Sequence, residues 1–392
     1  MTARPADVAP SGPIQFPDSG LGHGWEPSAV MVLTALLLII GLVSLYSASS
    51  ILAIEQGVGD TYYLGRQGTG VVIGLVVMIS CAFIPYSIWS RLSWPLLLIS
   101  IGSLVLLVLP WTQSIAPSIN GSRRWLQVGI TVQPSEFAKI AIVVWTAGMA
   151  VKKTSQFRSL RRGLAPFLVA WAMLVIPIAI EPDFSTAFLI GLLGLIIVFS
   201  AGARISHFIF LGLVLAPIVY WQIAGVGFRA DRFEAFLNPA SEQTGAGYQS
   251  YQALLGMGSG GWFGVGIGQG RQRFGFLPEA HNDFIFSMIG EEWGFIGVLV
   301  LLMMYVTLVL VGFRIARRAP DLFGELLALG FTSLIALQAL LHMGVGLGLL
   351  PTTGLALPLV SYGRSNLIVT LASLGILMSV ARAAPGIKVA RA

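Results

Sequence analysis

Ten stretches of about 20 predominantly apolar residues, the length a helix needs to cross a bilayer, follow one another along this chain. They lie at roughly 29–50, 67–85, 93–110, 135–151, 164–180, 184–201, 205–224, 285–313, 322–343 and 355–381, read by length and apolarity. The eighth and tenth are long, so part of each is expected to tilt or to leave the hydrocarbon. Composition points the same way. Of the 392 residues, 56% are hydrophobic and only 10% are charged, against about 25% charged in an average soluble domain. Too little charge remains to wet the surface of a compact soluble protein of this length. A soluble enzyme, a disordered protein and a nucleic-acid reader are all disfavoured, despite a net charge of +6.

The position of the basic residues gives that charge another meaning. With the N-terminus inside, 14 of the 23 Lys and Arg residues fall on cytoplasmic segments, as the positive-inside rule requires. The loop at 152–163 decides the matter, with five basic residues and no acid. The fold class is therefore an all-α polytopic membrane protein of about ten transmembrane helices, both termini cytoplasmic, with a large extracytoplasmic loop between the seventh and eighth. Residues 1–28 are polar and rich in Pro and Gly and read as a disordered cytoplasmic tail. Residues 29–384 form the membrane domain, with its outer loop at 225–284, and 385–392 form a second cytoplasmic tail. One cysteine, Cys81, precludes an intrachain disulfide, and the four histidines fit no metal-ligand spacing.

Two segments resist the span reading. Residues 111–134 are of mixed polarity. The outer loop is too aromatic for disorder, and short amphipathic helices at the membrane interface are expected in it. Within it, 256–270 contains eight glycines. A GxGxxG match there lacks the preceding strand that a dinucleotide site needs. The plain reading is a loop lying close to other backbone; the other is that small residues leave room for a substrate.

Ionisable side chains in so apolar a chain are functional candidates. Glu136 and Lys139 share one helix face and can pair. Glu181 and Asp183 flank Pro182 in a short outer turn, where Asp183 suits an N-cap. Glu291 and Glu292 lie within the eighth span. Nine basic residues, among them Arg66, Arg124 and Arg364, fall outside the positive-inside count. Asp283 stands where the aromatic, glycine-rich loop enters the eighth span. A carboxylate partly desolvated there gains basicity. Arg271 and Arg273 lie upstream of it, and Arg229 and Arg232 open the same loop. Arginine forks suit phosphate oxygens. The alternative is an N-capping Asp283 among scattered interfacial arginines.

Five motifs carry a family resemblance: Gln133–Ile140 (QPSEFAKI), Glu181–Ala187 (EPDFSTA), Ala246–Gln249 (AGYQ), Pro278–Gly297 (PEAHNDFIFSMIGEEWGFIG) and Leu350–Gly363 (LPTTGLALPLVSYG). Together, and in this order, they resemble the SEDS proteins of shape, elongation, division and sporulation. Arg232–Pro239 (RFEAFLNP) and the PTTG version of the last motif resemble the division branch more than the elongation branch.

The resemblance implies a peptidoglycan glycosyltransferase that polymerises lipid II at the bacterial plasma membrane, at the division septum, with undecaprenyl diphosphate leaving. It implies a class B penicillin-binding protein and other division proteins as partners, a divalent cation (Mg or Mn), no organic cofactor and no nucleic acid. It also implies Asp283 as the essential acid. Substrate contacts would come from Arg273, Arg271, Arg229, Arg232, Gln249, His281, Glu136, Lys139, Arg124 and Ser361. Arg364 and Asn366 depart from the family pattern, which has Gly and Ser there. The rival function is a lipid II flippase, which many spans and an intramembrane Glu–Lys pair also suit.

Overall fold

The structure, a computed structural model, describes residues 24–118, 122–157, 159–225, 233–234, 236–237 and 245–384. Ten of its helices correspond to the ten apolar runs: α1 (Glu26–Glu55), α2 (Tyr62–Phe83), α3 (Ser87–Val108), α4 (Pro134–Lys153), α5 (Ala165–Ile180), α6 (Phe184–Ser200), α7 (Ile205–Ala224), α9 (Ile285–Arg317), α10 (Leu322–Gly346) and α11 (Arg364–Ala383). A shorter helix in the outer loop, α8 (Tyr248–Ser259), bears out the expectation of short helices there. Among the described residues, eight helical segments are long and apolar enough to cross a membrane; α6 and the Ile205–Pro217 part of α7 are apolar but shorter.

Burial sorts these helices into layers. α4, α10 and α11 are enclosed along most of their length, whereas α1, α2, α3, α5 and α9 keep most of theirs outward. α11 runs along α2 at close range. A Cβ at Gly375 would collide with the carbonyl of Met78, so the two backbones touch as small residues allow in membranes. α9 packs on α10, α1 and α8, and α4 packs on α3, α6 and α10.

Most of the connections described in the next subsection gather at one end of the bundle, where α2, α4, α6, α9 and α11 begin; the bond from Tyr305 lies deeper, partway along α9. At the opposite end Glu26 bonds Arg314 (2.9 Å) and Arg318 (2.6 Å), and Tyr86 bonds Asp321 (2.9 Å).

The structure corrects the expected spans in four places. α1 begins at Glu26, inside the segment read as tail. Residues 126–132 form a hairpin, β1 (Leu126–Val128) and β2 (Ile130–Val132), in which Leu126 pairs with Val132. The tenth span begins at Arg364, not 355. Pro351 and Pro358 remove backbone donors that a helix would need, and Gly354 and Leu359 take positive φ of 67° and 69°. The long eighth span is two helices joined at Gly294, whose φ of 67° and ψ of −167° are not helical.

The break in α9 explains the glycine-rich loop. The carbonyls of Glu291 and Glu292, freed by the break, accept hydrogen bonds from the amides of Val265 (3.0 Å) and Gly266 (3.1 Å). The amides of Phe295 and Ile296 donate to the carbonyls of Gly261 (2.8 Å) and Trp262 (3.2 Å). A side chain at Gly264 would strike the carbonyl of Glu292. Close backbone approach is thus the role of Gly264 and of Gly260, where a side chain would strike the carbonyl of Gly290.

Candidate active site

Asp283 is half-buried in the irregular segment that leads into α9. Opposite it lies the other irregular segment, 350–363, and an ideal Cβ at Gly354 would stand 3.8 Å from Asp283 Oδ2. The two segments hold each other. Ser361 Oγ donates to the carbonyl of Asn282 (2.8 Å) and accepts from the amide of Leu357 (2.9 Å). The amide of Tyr362 donates to the carbonyl of His281 (3.1 Å). Ser361 is therefore buried and committed within the chain, which makes it a clamp for the loop beside Asp283 and not an open substrate contact.

Three helices pin the same loop from outside. On α2, Gln67 donates from Nε2 to the carbonyl of Ser361 (3.1 Å) and accepts at Oε1 from the amide of Gly363 (3.1 Å). On α10, His342 Nδ1 donates to the carbonyl of Leu355 (2.7 Å). On α9, the Tyr305 hydroxyl donates to the carbonyl of Pro358. None of these three residues stands out in the sequence, because nothing local marks a polar group on these helices as the partner of a distant loop.

His281 is buried between Tyr63 and Tyr362, with ring centres 4.9 and 5.6 Å away. Burial pushes its pKa below the usual range, with Glu279 opposing, so the ring is neutral at pH 7. Burial likewise pushes the Tyr362 hydroxyl up, against Arg66 and Arg364. Beside this cluster, a cavity of about 250 Å³ opens between α1 and the 272–281 segment. Glu55, Gln272, Arg273, Glu279 and His281 supply its polar lining.

The other sequence candidates divide clearly. Arg273 lines that cavity, with Nη2 bonded to Ser50 Oγ (3.1 Å) and Nη1 to the carbonyl of Gly268 (2.5 Å). Arg271 exposes its side chain, while its amide donates to Glu291 Oε1 (2.7 Å). Gln249 opens α8, one turn before Gln252, which accepts from Gln272 Nε2 (3.2 Å). Arg124 reaches the carbonyls of Glu181 (3.2 Å) and Pro182 (2.9 Å), so it staples the α5–α6 turn and lies apart from Asp283 in the bonding pattern. Arg229 and Arg232, with half of the Arg232–Pro239 motif, lie outside the described residues.

Glu136 and Lys139 form a buried ion pair of 2.7 Å. Asn366 Nδ2 donates to the second oxygen of Glu136 (3.0 Å). Ser365 Oγ, next to it, accepts from the amide of Gln133 (3.2 Å). A chain of bonded residues therefore joins the pair to the Asp283 segment through the start of α11. The two departures from the family pattern are absorbed in place: Asn366 serves the ion pair, and the stem of Arg364 lies over Gly70 of α2.

Comparison with known proteins bears on the fold and the family. Residues 28–385 match the family of cell cycle proteins that comprises FtsW, RodA and SpoVE. A probable peptidoglycan glycosyltransferase FtsW of Geobacter metallireducens is 40% identical over 352 residues, covering 90% of this chain and 93% of the relative. The stage V sporulation protein E of Bacillus subtilis is 38% identical over 354 residues, covering 90% and 96%. Among solved structures, a chain of a peptidoglycan synthase complex that coordinates polymerization and crosslinking superposes with a TM-score of 0.77 at 28% identity, covering 92% of this chain and 98% of that one. The rod shape determining protein RodA of Thermus thermophilus superposes with a TM-score of 0.67, also at 28% identity, covering 93% and 98%. A bundle of this architecture, matched over 90% of its length by sequence and 92% by structure, belongs to the FtsW, RodA and SpoVE family, and its relatives at about 40% identity place it on the FtsW side.

Proposed function

We propose that this multi-pass membrane protein is a peptidoglycan glycosyltransferase that polymerises lipid II, with Asp283 as its general base. The observation that carries the reading is the half-buried Asp283, clasped by two irregular segments at the end of a membrane bundle.

The chemistry asks for little more. The donor sugar is α-linked to diphosphate and the polymer bond is β, so one displacement with inversion suffices. Asp283 takes the proton of the acceptor 4-hydroxyl. That oxygen bonds to the anomeric carbon, and the bond to the diphosphate breaks. Undecaprenyl diphosphate departs with the electron pair. A positioned base contributes about 100- to 10,000-fold. Guanidinium groups near the loop, Arg271 exposed and Arg273 at the cavity, supply positive charge for the departing oxygens. Neutral His281 packs the segment between them.

Among the described residues no three His, Cys, Asp or Glu side chains cluster as a metal site. Those residues do not fit a protein-held cation. A magnesium or manganese ion used in the reaction would be held chiefly by the diphosphate it accompanies.

The end opposite Asp283 carries Arg91, Lys152, Lys153, Arg161, Arg162, Arg204, Arg314, Arg317, Arg318 and Arg382, which supports a cytoplasmic assignment for it and an outer-face active site. The likeness to a synthase complex supports work beside a class B penicillin-binding protein, and the likeness to FtsW supports septal duty with other division proteins.

The test is glycan chain formation from purified lipid II in detergent, where flipping is irrelevant, using the chain with its transpeptidase partner. Asp283→Asn is expected to abolish polymer while leaving the thermal unfolding transition in place. Wild-type-like polymer from that variant would refute the base. Polymer absent from the wild-type complex would favour a flippase.

A further inference from the structure

Between Tyr248 and Gly270 the chain carries no charged residue. The part that follows α8 turns its apolar side chains away from the protein: Trp262 is 69% exposed, Phe263 81% and Ile267 56%. Beside them, just past the break in α9, Phe295 and Ile296 are also exposed. The Trp262 ring meets the Phe295 ring edge-on at 5.2 Å. From there exposed apolar surface continues along α9 through Leu299, Val300 and Met303. The loop patch is thus continuous with a helix face that spans the membrane.

An irregular loop is ordinarily barred from lipid because its unpaired amides and carbonyls cannot be desolvated. This loop meets that objection at its deepest contact. Four backbone bonds, from Val265, Gly266, Phe295 and Ile296, pair it with the opened turn of α9.

Helix geometry fixes the depth. Ser47 on α1 bonds Glu292, two residues before the break, and Glu26 at the other end of α1 bonds Arg314 and Arg318. The intervening residues rise about 31 Å at roughly 1.5 Å each, which matches a hydrocarbon thickness of about 30 Å. The loop therefore stands at the boundary of hydrocarbon and headgroups on the Asp283 side, where Trp and other aromatic side chains are favoured.

We propose that Trp262, Phe263, Val265 and Ile267 insert into the membrane interface on the Asp283 side, so that a lipid surface covers this loop. The insertion roots the segment immediately before Arg271 and Arg273 at headgroup depth, where a lipid-linked diphosphate would travel. The proposal rests on the membrane-spanning fold and stands whatever the fate of Asp283 as base.

The test uses the full chain in proteoliposomes, with Cys81→Ala and a nitroxide at Phe263→Cys or, separately, Ile267→Cys. A third label at Glu279→Cys, an exposed polar position, is the aqueous reference. Collisions with oxygen are expected to dominate over those with a water-soluble nickel chelate at 263 and 267, and the ratio is expected to reverse at 279. Nickel-dominated collisions at both loop positions would overturn the proposal. So would exclusion of both probes, the result of a protein contact. Val265→Cys supplies the reading if either variant loses its unfolding transition.

Discussion

Glu181 is buried at the α5–α6 turn, and neither of its carboxylate oxygens has a hydrogen-bond partner among the described residues. Burial, with Asp183 adding and Arg124 opposing, pushes its pKa up to about 8. The folded chain then holds a proton that the unfolded chain, with an ordinary carboxyl near 4.5, has released. Between those two values stability falls as pH rises, by a maximum of order 3 kcal/mol at pH 7 from about 1.4 kcal/mol per pH unit. Glu181→Gln removes the titration. Its thermal unfolding in detergent should match wild type near pH 5 and exceed it at pH 8; an equal difference at both would contradict the assignment.

The Glu136–Lys139 pair behaves differently, because each charge has its partner. Lys139→Met leaves a buried carboxylate with only Asn366 and should cost about 3–5 kcal/mol. Glu136→Leu with Lys139→Met should recover most of that loss in the same unfolding measurement. Polymerisation by the double variant then separates structure from chemistry: activity restored along with stability marks the pair as a lock, and activity still absent marks it as part of the reaction.

At the scale of elements, the glycine loop and the break in α9 form one unit. Gly264 combines a φ of 79° with a backbone contact that no side chain can share, so Gly264→Ala should lower the melting temperature markedly. Gly258, on α8, has open space around it. Gly258→Ala should leave stability unchanged or raise it by about 0.5–1 kcal/mol, the helical preference for Ala. Equal losses in the two variants would refute this account of the glycines.

The spans themselves were legible in the sequence because a run of about 20 apolar residues has few other fates. Their ends were less so. The late start of α11 follows from Pro358 and the buried Leu359 with positive φ, conditions imposed by the loop's partners. The β1–β2 hairpin is shorter than hydrophobic alternation can announce. Asp283 was legible from its motif and its place at a loop–span junction. Gln67, Tyr63, Tyr305 and His342 were not, since their roles exist only once distant helices meet.

At the scale of the whole molecule, charge and fold agree. Most of the basic residues among those described gather at one end of the bundle, and the candidate base lies at the other, with a largely apolar interior between. The 350–363 segment, which borders Asp283, is clasped by Gln67 of α2, Tyr305 of α9 and His342 of α10.

That clasp has a consequence for how damage travels. Residues 350–363 contain no helix or strand of their own and take their shape from Gln67, Tyr305 and His342. A lesion on any of those helices, well away from the acid, is therefore felt as a displaced wall beside Asp283.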